Sequence, residues 1–291
     1  MAHKGHNKRT SQNHGGSALD AFYEEHFGSR WQALKAAMIA GDVYCTLCFP
    51  QCESYYMDPA SVVAALCLPV AQAQQVADLC AAPGGKSLVV AANMREGAEL
   101  LAGELSFERK IRLDNTLREC LPPTTRVKTT LGDSSLWCKS MGESFDAVLL
   151  DAPCSSEKHV IKSAKWLSLW SAARVKELAI RQWALASCAF RLLKKGGFLL
   201  YCTCALLPAE NDAVLSRLLE KFPTASVVPP DVVREVFCAN AASSRAKITC
   251  PEGLSLEDLF DCAEQTRFGH HILPDTACGA GPIYFSLIQK Q

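Results

Sequence analysis

The chain has 291 residues, 49% of them hydrophobic, and a formal net charge of zero. That length allows one large domain plus an appendage. No apolar run nears the roughly 18 residues of a membrane helix, and a zero net charge excludes a globally basic nucleic-acid binder. Fifteen cysteines, with no apolar secretory core in residues 1–16, predict reduced thiols rather than a disulfide framework; a soluble monomer is expected, in the cytoplasm or, in a eukaryote, an organellar matrix.

Residues 1–16, polar and carrying Lys4, Lys8 and Arg9, read as a disordered basic tail. Residues 17–40 read as one amphipathic helix, with Leu19, Phe22, Phe27, Trp31, Leu34 and Met38 near helical spacing. Asp58-Pro59 is a helix start, an N-cap followed by proline at the first helical position. Together these give a small N-terminal helical extension over 17–70. From residue 71 strands and helices alternate. Strands are expected near 76–80, 99–104, 126–131, 145–151, 197–203 and 282–288, with helices near 86–95, 106–119, 170–194 and 208–221. The proline-punctuated stretch 223–282 adds a weak strand near 225–228 and a short helix near 231–237. Such alternation predicts an α/β domain over 71–291, a mostly parallel sheet of seven strands with helices on both faces.

Three strand-like runs end in reactive constellations: Asp78-Leu-Cys80-Ala81-Ala82-Pro83-Gly84-Gly85-Lys86, Asp151-Ala-Pro-Cys154 and Tyr201-Cys202-Thr203-Cys204. Ligands of open α/β sheets collect at the carboxyl ends of strands, so the three should converge on one crevice. The glycine turn is not a Walker A loop, because Cys80 stands where that loop needs its first glycine, and the dinucleotide pattern G-x-G-x-x-G is absent. A tight strand-to-helix turn followed by Glu104 at the end of the next strand suits a nucleoside whose ribose hydroxyls meet a carboxylate. No phosphate is implied, which points to S-adenosylmethionine. Two cysteines and an acid at strand ends suit covalent activation of a pyrimidine. A thiolate adding to carbon-6 makes carbon-5 nucleophilic, an acid steadies the ring's nitrogen side, and a second group assists release.

These motifs, in this order and spacing over roughly residues 55–288, with Pro208-x-Glu210-Asn211 following, resemble the NSUN/RsmB family of RNA cytosine-5 methyltransferases. Tyr55-Tyr56-Met57-Asp58-Pro59-Ala60-Ser61, Phe27-Gly28-x-x-Trp31 and Gly281-Pro282-Ile283-Tyr284-Phe285 look most like the branch with the mitochondrial ribosomal-RNA enzyme. The resemblance implies a Rossmann-like class I methyltransferase fold acting on RNA, ribosomal by preference and transfer RNA as the alternative. It implies Cys204 as nucleophile, Cys154 for product release, and Asp151 and Lys86 at the cytosine. S-adenosylmethionine would lie along Cys80 to Lys86, with Glu104 and Arg109 at its ribose, Asp133 and Ser134 beside its adenine, and Asp151 at its reactive end. Glu104 stands where the family usually has Asp, and Cys202 and Ala205 where it commonly has Ser. Cys202 is expected on the same side of its strand as Cys204.

Residues 157–195 hold nine Lys or Arg against Glu157 and Glu177. Together with the N-terminal helices or a partner protein, this run is the candidate for RNA selection. Cys45, Cys48 and Cys52 read as packing, with no metal site expected. His270 and His271 read as a solvated or satisfied pair rather than RNA contacts. Trp166 and Trp170, among the basic residues, are candidates to stack on bases, and Trp183 reads as core. A DNA cytosine-5 methyltransferase using Cys154 as nucleophile and a catalytically silent RNA-binding assembly factor are the rival functions.

Overall fold

A computed structural model describes residues 8–291, with side chains from Gly16 onward. In chain order the elements are α1 (Lys8–Phe27), α2 (Arg30–Ala40), β1 (Cys45–Cys48), β2 (Tyr55–Met57), α3 (Pro59–Leu66), β3 (Gln75–Asp78), α4 (Gly85–Asn93), β4 (Glu99–Glu104), α5 (Phe107–Cys120), β5 (Arg126–Leu131) and β6 (Phe145–Asp151). They continue with α6 (Glu157–Lys162), α7 (Ala164–Ser168), α8 (Ala172–Leu192), β7 (Leu193–Thr203), α9 (Asp212–Lys221), β8 (Ala225–Val227), α10 (Pro230–Ser243), β9 (Lys247–Thr249), α11 (Leu256–Asp261), β10 (Glu264–Gln265), β11 (His270–Ile272) and β12 (Ile283–Lys290). A 3-10 turn, Ser134–Lys139, follows β5.

The sheet runs β5-β4-β3-β6-β7 in parallel, then β12 antiparallel to β7. The far edge of β12 is shared by β8 and by β11, which carries β10. The seven expected strands are all present; β10 and β11, too short to read from alternation, bring the sheet to nine. Side chains sort by the two-residue period of a strand. Val76, Leu149, Leu200 and Cys202 join the core under α3, α4, α5 and α10, while Ala77, Val148, Leu150, Leu199 and Tyr201 join the core under α8 and α9. The chain builds outward from β3 to β5, then crosses back to place β6 on the other side of β3. The carboxyl ends of β3 and β6 therefore flank the switch point where such sheets bind ligands.

The N-terminal part differs from its sequence reading in three ways. The single helix expected over 17–40 is two, broken at Gly28, whose φ of 56° ends α1 in the left-handed conformation that glycine accepts most readily. The apolar spacing runs straight across the break because both helices face one cluster, in which Trp31 stacks on Tyr23 at 4.7 Å. Of the tail expected over 1–16, residues 1–7, with Lys4, lie outside the described residues, and the backbone from Lys8 belongs to α1. Thirdly, the extension is not purely helical. β1 pairs with β2 and with β9, some 200 residues downstream, in a separate three-stranded sheet. Cys45, Leu47 and Leu66 share one core with Phe237, Leu259 and Phe285, so packing is continuous across the boundary expected near residue 70.

Candidate active site

At the carboxyl end of β3, Asp78 turns back on its own loop, accepting from Ser87 Oγ at 2.6 Å and from Cys80 N at 3.3 Å. Burial lifts its pKa to about 7 against the Ser87 hydrogen bond. Gly84 sits at φ 119°, and a Cβ there would meet Thr116 and Leu113 of α5 at 3.0–3.3 Å. A Cβ on Gly85 would meet Tyr55 at 2.8 Å. Both glycines thus let α4 start tightly against its neighbours.

Two cavities lie on either side of this turn. The larger, about 430 Å³, is lined by Cys80, Glu104, Arg109, Asp133, Ser134, Asp151, Cys154 and Cys204 among the expected residues. Ala81, Ala82, Pro83, Gly85 and Lys86 line instead a recess of about 140 Å³ that shares Cys80 and Asp151; Gly84 lines neither. The expected cofactor segment is therefore divided. Only its first residue, Cys80, lines the main cavity, because the rest of the turn rolls under β2 and the start of α3.

Glu104 ends β4 fully enclosed. Its Oε1 accepts from Ser106 N at 2.9 Å, while Oε2, 3.3 Å from the Arg109 guanidinium, has no hydrogen-bond partner; Ser134 Oγ is likewise unpartnered. Arg109 also donates to Ala82 O at 2.5 Å, tying α5 to the glycine turn. Gly103 leaves room for Trp137 and Ser134 to lie directly on β4, since a Cβ there would fall 2.5–2.6 Å from both. Asp133 caps the 3-10 turn through Ser135 N at 3.0 Å.

Across the cavity, Cys154 Sγ and Cys204 Sγ are 2.9 Å apart, and Ser156 Oγ lies 3.2 Å from Cys204 Sγ and 3.5 Å from Cys154 Sγ. The hydrogen bond to Cys204, together with burial, pushes the Cys154 thiol well above its ordinary pKa. Lys86 Nζ donates to Asp151 Oδ2 at 2.7 Å. Burial opposes the lysine's charge, but Asp151, Cys202 and Cys204 outweigh it and raise its pKa. Cys202 packs in the core and lines neither cavity.

A buried polar frame holds the two cysteine loops. Glu210 Oε2 accepts from Ser155 N at 3.0 Å and from Gln182 Nε2 at 2.8 Å. Gln182 also donates to Pro153 O at 3.0 Å. Asn211 Oδ1 accepts from Thr203 Oγ1 at 2.5 Å, and its Nδ2 donates to Ala205 O at 3.0 Å. Glu157 accepts from Ser155 Oγ at 2.6 Å, from Tyr23 OH at 2.5 Å and from Leu206 N at 3.3 Å, linking both loops to α1.

Sequence reasoning missed Ser156, Leu105 and Leu185 and read Arg181 only as part of the basic run; all four are in the cavity wall. Ser156 owes its place to a left-handed backbone at φ 55°, for which a serine gives no signal. The basic run disperses. Lys158 donates to the carbonyls of Gly279 and Gly281, Lys162 pairs with Asp42 and Lys194 with Asp146, while Arg191 lies over Phe222. His270 and His271 are buried, not solvated; His270 stacks on Phe285, and burial lowers the pKa of His271 to about 4. Cys45 lies 2.7 Å from Cys250 where β1 meets β9, and Trp183 packs at the edge of a core under Arg217.

The chain is 30% identical over 251 residues to the 5-cytosine rRNA methyltransferase NSUN4 of Xenopus laevis, covering 82% of this chain and 56% of that protein. It is 42% identical over 157 residues to the ribosomal RNA small subunit methyltransferase F of Erwinia tasmaniensis, covering 54% of this chain and 32% of that one. The chain thus spans between a third and just over half of these relatives' length. A methyltransferase homolog protein from Pyrococcus horikoshii superposes with a TM-score of 0.68 at 19% identity, covering 97% of this chain and 98% of that one. NSun6 from the same organism, solved with SFG, gives 0.59 at 20% identity over 81% and 53%. Both share the Rossmann-like methyltransferase fold. The sequence profile of the 16S rRNA methyltransferase RsmB/F family matches residues 65–261, about two thirds of the chain, which belongs to that family.

Proposed function

We propose that the chain is an S-adenosylmethionine-dependent RNA cytosine-5 methyltransferase, acting on ribosomal RNA in the cytoplasm, with Cys204 as nucleophile and Cys154 as release residue. The observation that carries this reading is the sulfur pair 2.9 Å apart, in the lining of a cavity that also holds a buried carboxylate oxygen without a hydrogen-bond partner. The cavity suits the cofactor. Glu104 Oε2 lacks a donor that a ribose hydroxyl supplies, Ser134 Oγ is free beside Asp133, and Leu105 and Leu185 offer apolar faces to a flat ring. When bound, S-adenosylmethionine supplies an electrophilic methyl group. The family profile and both named relatives are ribosomal-RNA enzymes by description, which supports the substrate class.

The chain's own residues do the rest. Cys204 gives its thiol proton to water and its Sγ bonds to carbon-6 of cytosine, the 5,6 π pair shifts to carbon-5 in conjugation with the ring's N3–C4 unit, and Asp151, held by Lys86, meets the polar edge. Carbon-5 then carries the nucleophilic pair that takes the methyl. Loss of the carbon-5 proton to water expels Cys204 as thiolate and restores the double bond. Cys154, kept as a thiol, donates its S–H to that leaving sulfur and steadies its charge.

The two cysteines therefore fail differently. Cys204→Ala should neither methylate nor trap RNA. Cys154→Ala should still attack and transfer methyl but release poorly, accumulating a protein–RNA adduct on denaturing gels. The reverse pattern would assign the nucleophile to Cys154, and RNA binding without label transfer from the cofactor would leave a silent assembly factor.

A further inference from the structure

On the far side of the sulfur pair from Asp151 lies a third recess, about 140 Å³, lined by Cys154, Ser156, His159, Trp166, Trp170 and Arg174. Cys154 and Ser156 are the residues it shares with the main cavity. A ring seated here therefore lies beside, not upon, a ring held over Cys204 and Asp151.

The recess has the chemistry of a base platform. Ser163 caps α7 by accepting from Trp166 N, which fixes the backbone that carries the indole. Lys165 Nζ sits 5.2 Å from the Trp166 ring centre, Arg174 Cζ 5.9 Å, and the His159 ring 6.4 Å. Among the described residues, neither Lys165 nor Arg174 reaches an acid within ion-pair distance, unlike Lys158, Lys162 and Lys194 of the same run. Trp170 is anchored against Phe22 of α1 at 5.4 Å, and Leu169 stands 59% exposed at the rim. A half-buried indole flanked by unpaired cations matches a flat π face carrying a negative charge on its tether, which describes a nucleotide. Proteins that read single-stranded RNA splay bases out and stack them on aromatic side chains in this manner.

We propose that this recess holds the unstacked base adjacent to the target cytosine, with Trp166 as its stacking platform and Lys165 and Arg174 at the connecting phosphates. The inference rests on the RNA-methyltransferase reading and adds to it a specificity subsite. Occupancy also reaches the chemistry, because Ser156 lines the recess and its Oγ lies 3.2 Å from Cys204 Sγ.

The test uses the full chain and a fluorescent single-stranded oligoadenosine with one central cytosine, compared with strands lacking the base immediately 5′ or 3′ of that cytosine. Removing the base on one side should weaken binding by roughly five- to hundredfold, the range for a missing base–aromatic stack, and removal on the other side should do little. Trp166→Ala should show the same loss with the intact strand, and no further loss when the base is also removed. Arg174→Gln, an exposed change that leaves the fold intact, should weaken binding and lower its salt slope. The subsite is overturned if both one-base deletions and both variants bind like the wild type, or if no strand binds. Loss of cofactor-dependent labelling while the Trp166 cycle persists would instead sink the methyltransferase reading and keep the subsite.

Discussion

Glu157 shows how one side chain can couple chemistry to folding. Burial, then the nearby charge of Glu210, lifts its carboxyl to about 7 against hydrogen bonds from Ser155 and Tyr23. A folded pKa above the unfolded value means that the fold favours the protonated acid. This contribution is intact below about pH 4.5 and is lost progressively as pH rises to about 7, a change on the order of 3 kcal/mol. His271 acts in the opposite sense, since its lowered pKa removes stability as pH falls from about 6.5 toward 4. The two overlap in pH, so a single titration would blur them. Glu157→Gln isolates one, because the amide mimics the protonated acid. Urea midpoints over this interval should fall less steeply with rising pH in Glu157→Gln than in the wild type, and parallel profiles would show that Glu157 does not titrate there. At the main cavity, Asp133→Ala should weaken cofactor binding by about 1–3 kcal/mol, measured by calorimetry, if that carboxylate holds the ligand as well as the 3-10 turn.

At the scale of elements, the strands that carry chemistry were legible because each apolar run stops at a polar residue. Asp78, Glu104, Asp151 and Cys204 fall at strand ends or one residue beyond. What escaped reading depends on partners far away in sequence. β1 and β9 are four and three residues long, and neither has meaning without the other. Gly28 lies inside an unbroken apolar period, so the hinge between α1 and α2 carries no pattern of its own. The glycine turn was legible as a turn but not in its purpose. Gly84 is required by backbone conformation and by α5, while Cys80 and Glu104 line the main cavity. Gly84→Ala should accordingly destabilise the fold by about 1–3 kcal/mol, from an unfavourable φ plus a Cβ 3.0 Å from Thr116. A denaturation midpoint equal to that of the wild type would remove the conformational requirement.

Across the whole molecule, basic residues adjacent in sequence serve opposite ends. Lys158 is a structural staple: its ammonium satisfies the carbonyls of Gly279 and Gly281 at 3.0 Å and lies 3.3 Å from Asp42 and 3.8 Å from Asp58. Asp58, besides capping α3, accepts from Gly281 N at 3.0 Å with both oxygens, so α3, α6 and the loop before β12 are joined at one point. Lys165 and Arg174 have no such duty. Charge alone made these residues one phosphate-tracking run, whereas partners divide them. Lys158→Ala should lower stability by about 1–3 kcal/mol, the range for leaving buried polar groups unpaired, without changing the salt dependence of RNA binding. Lys165→Glu and Arg174→Glu should do the reverse, reducing the log–log salt slope by about 0.7 for each single-strand phosphate that is no longer neutralised, while leaving the urea midpoint in place. A slope that moved with Lys158 and not with the other two would return the RNA path to the face around Asp42 and the loop before β12.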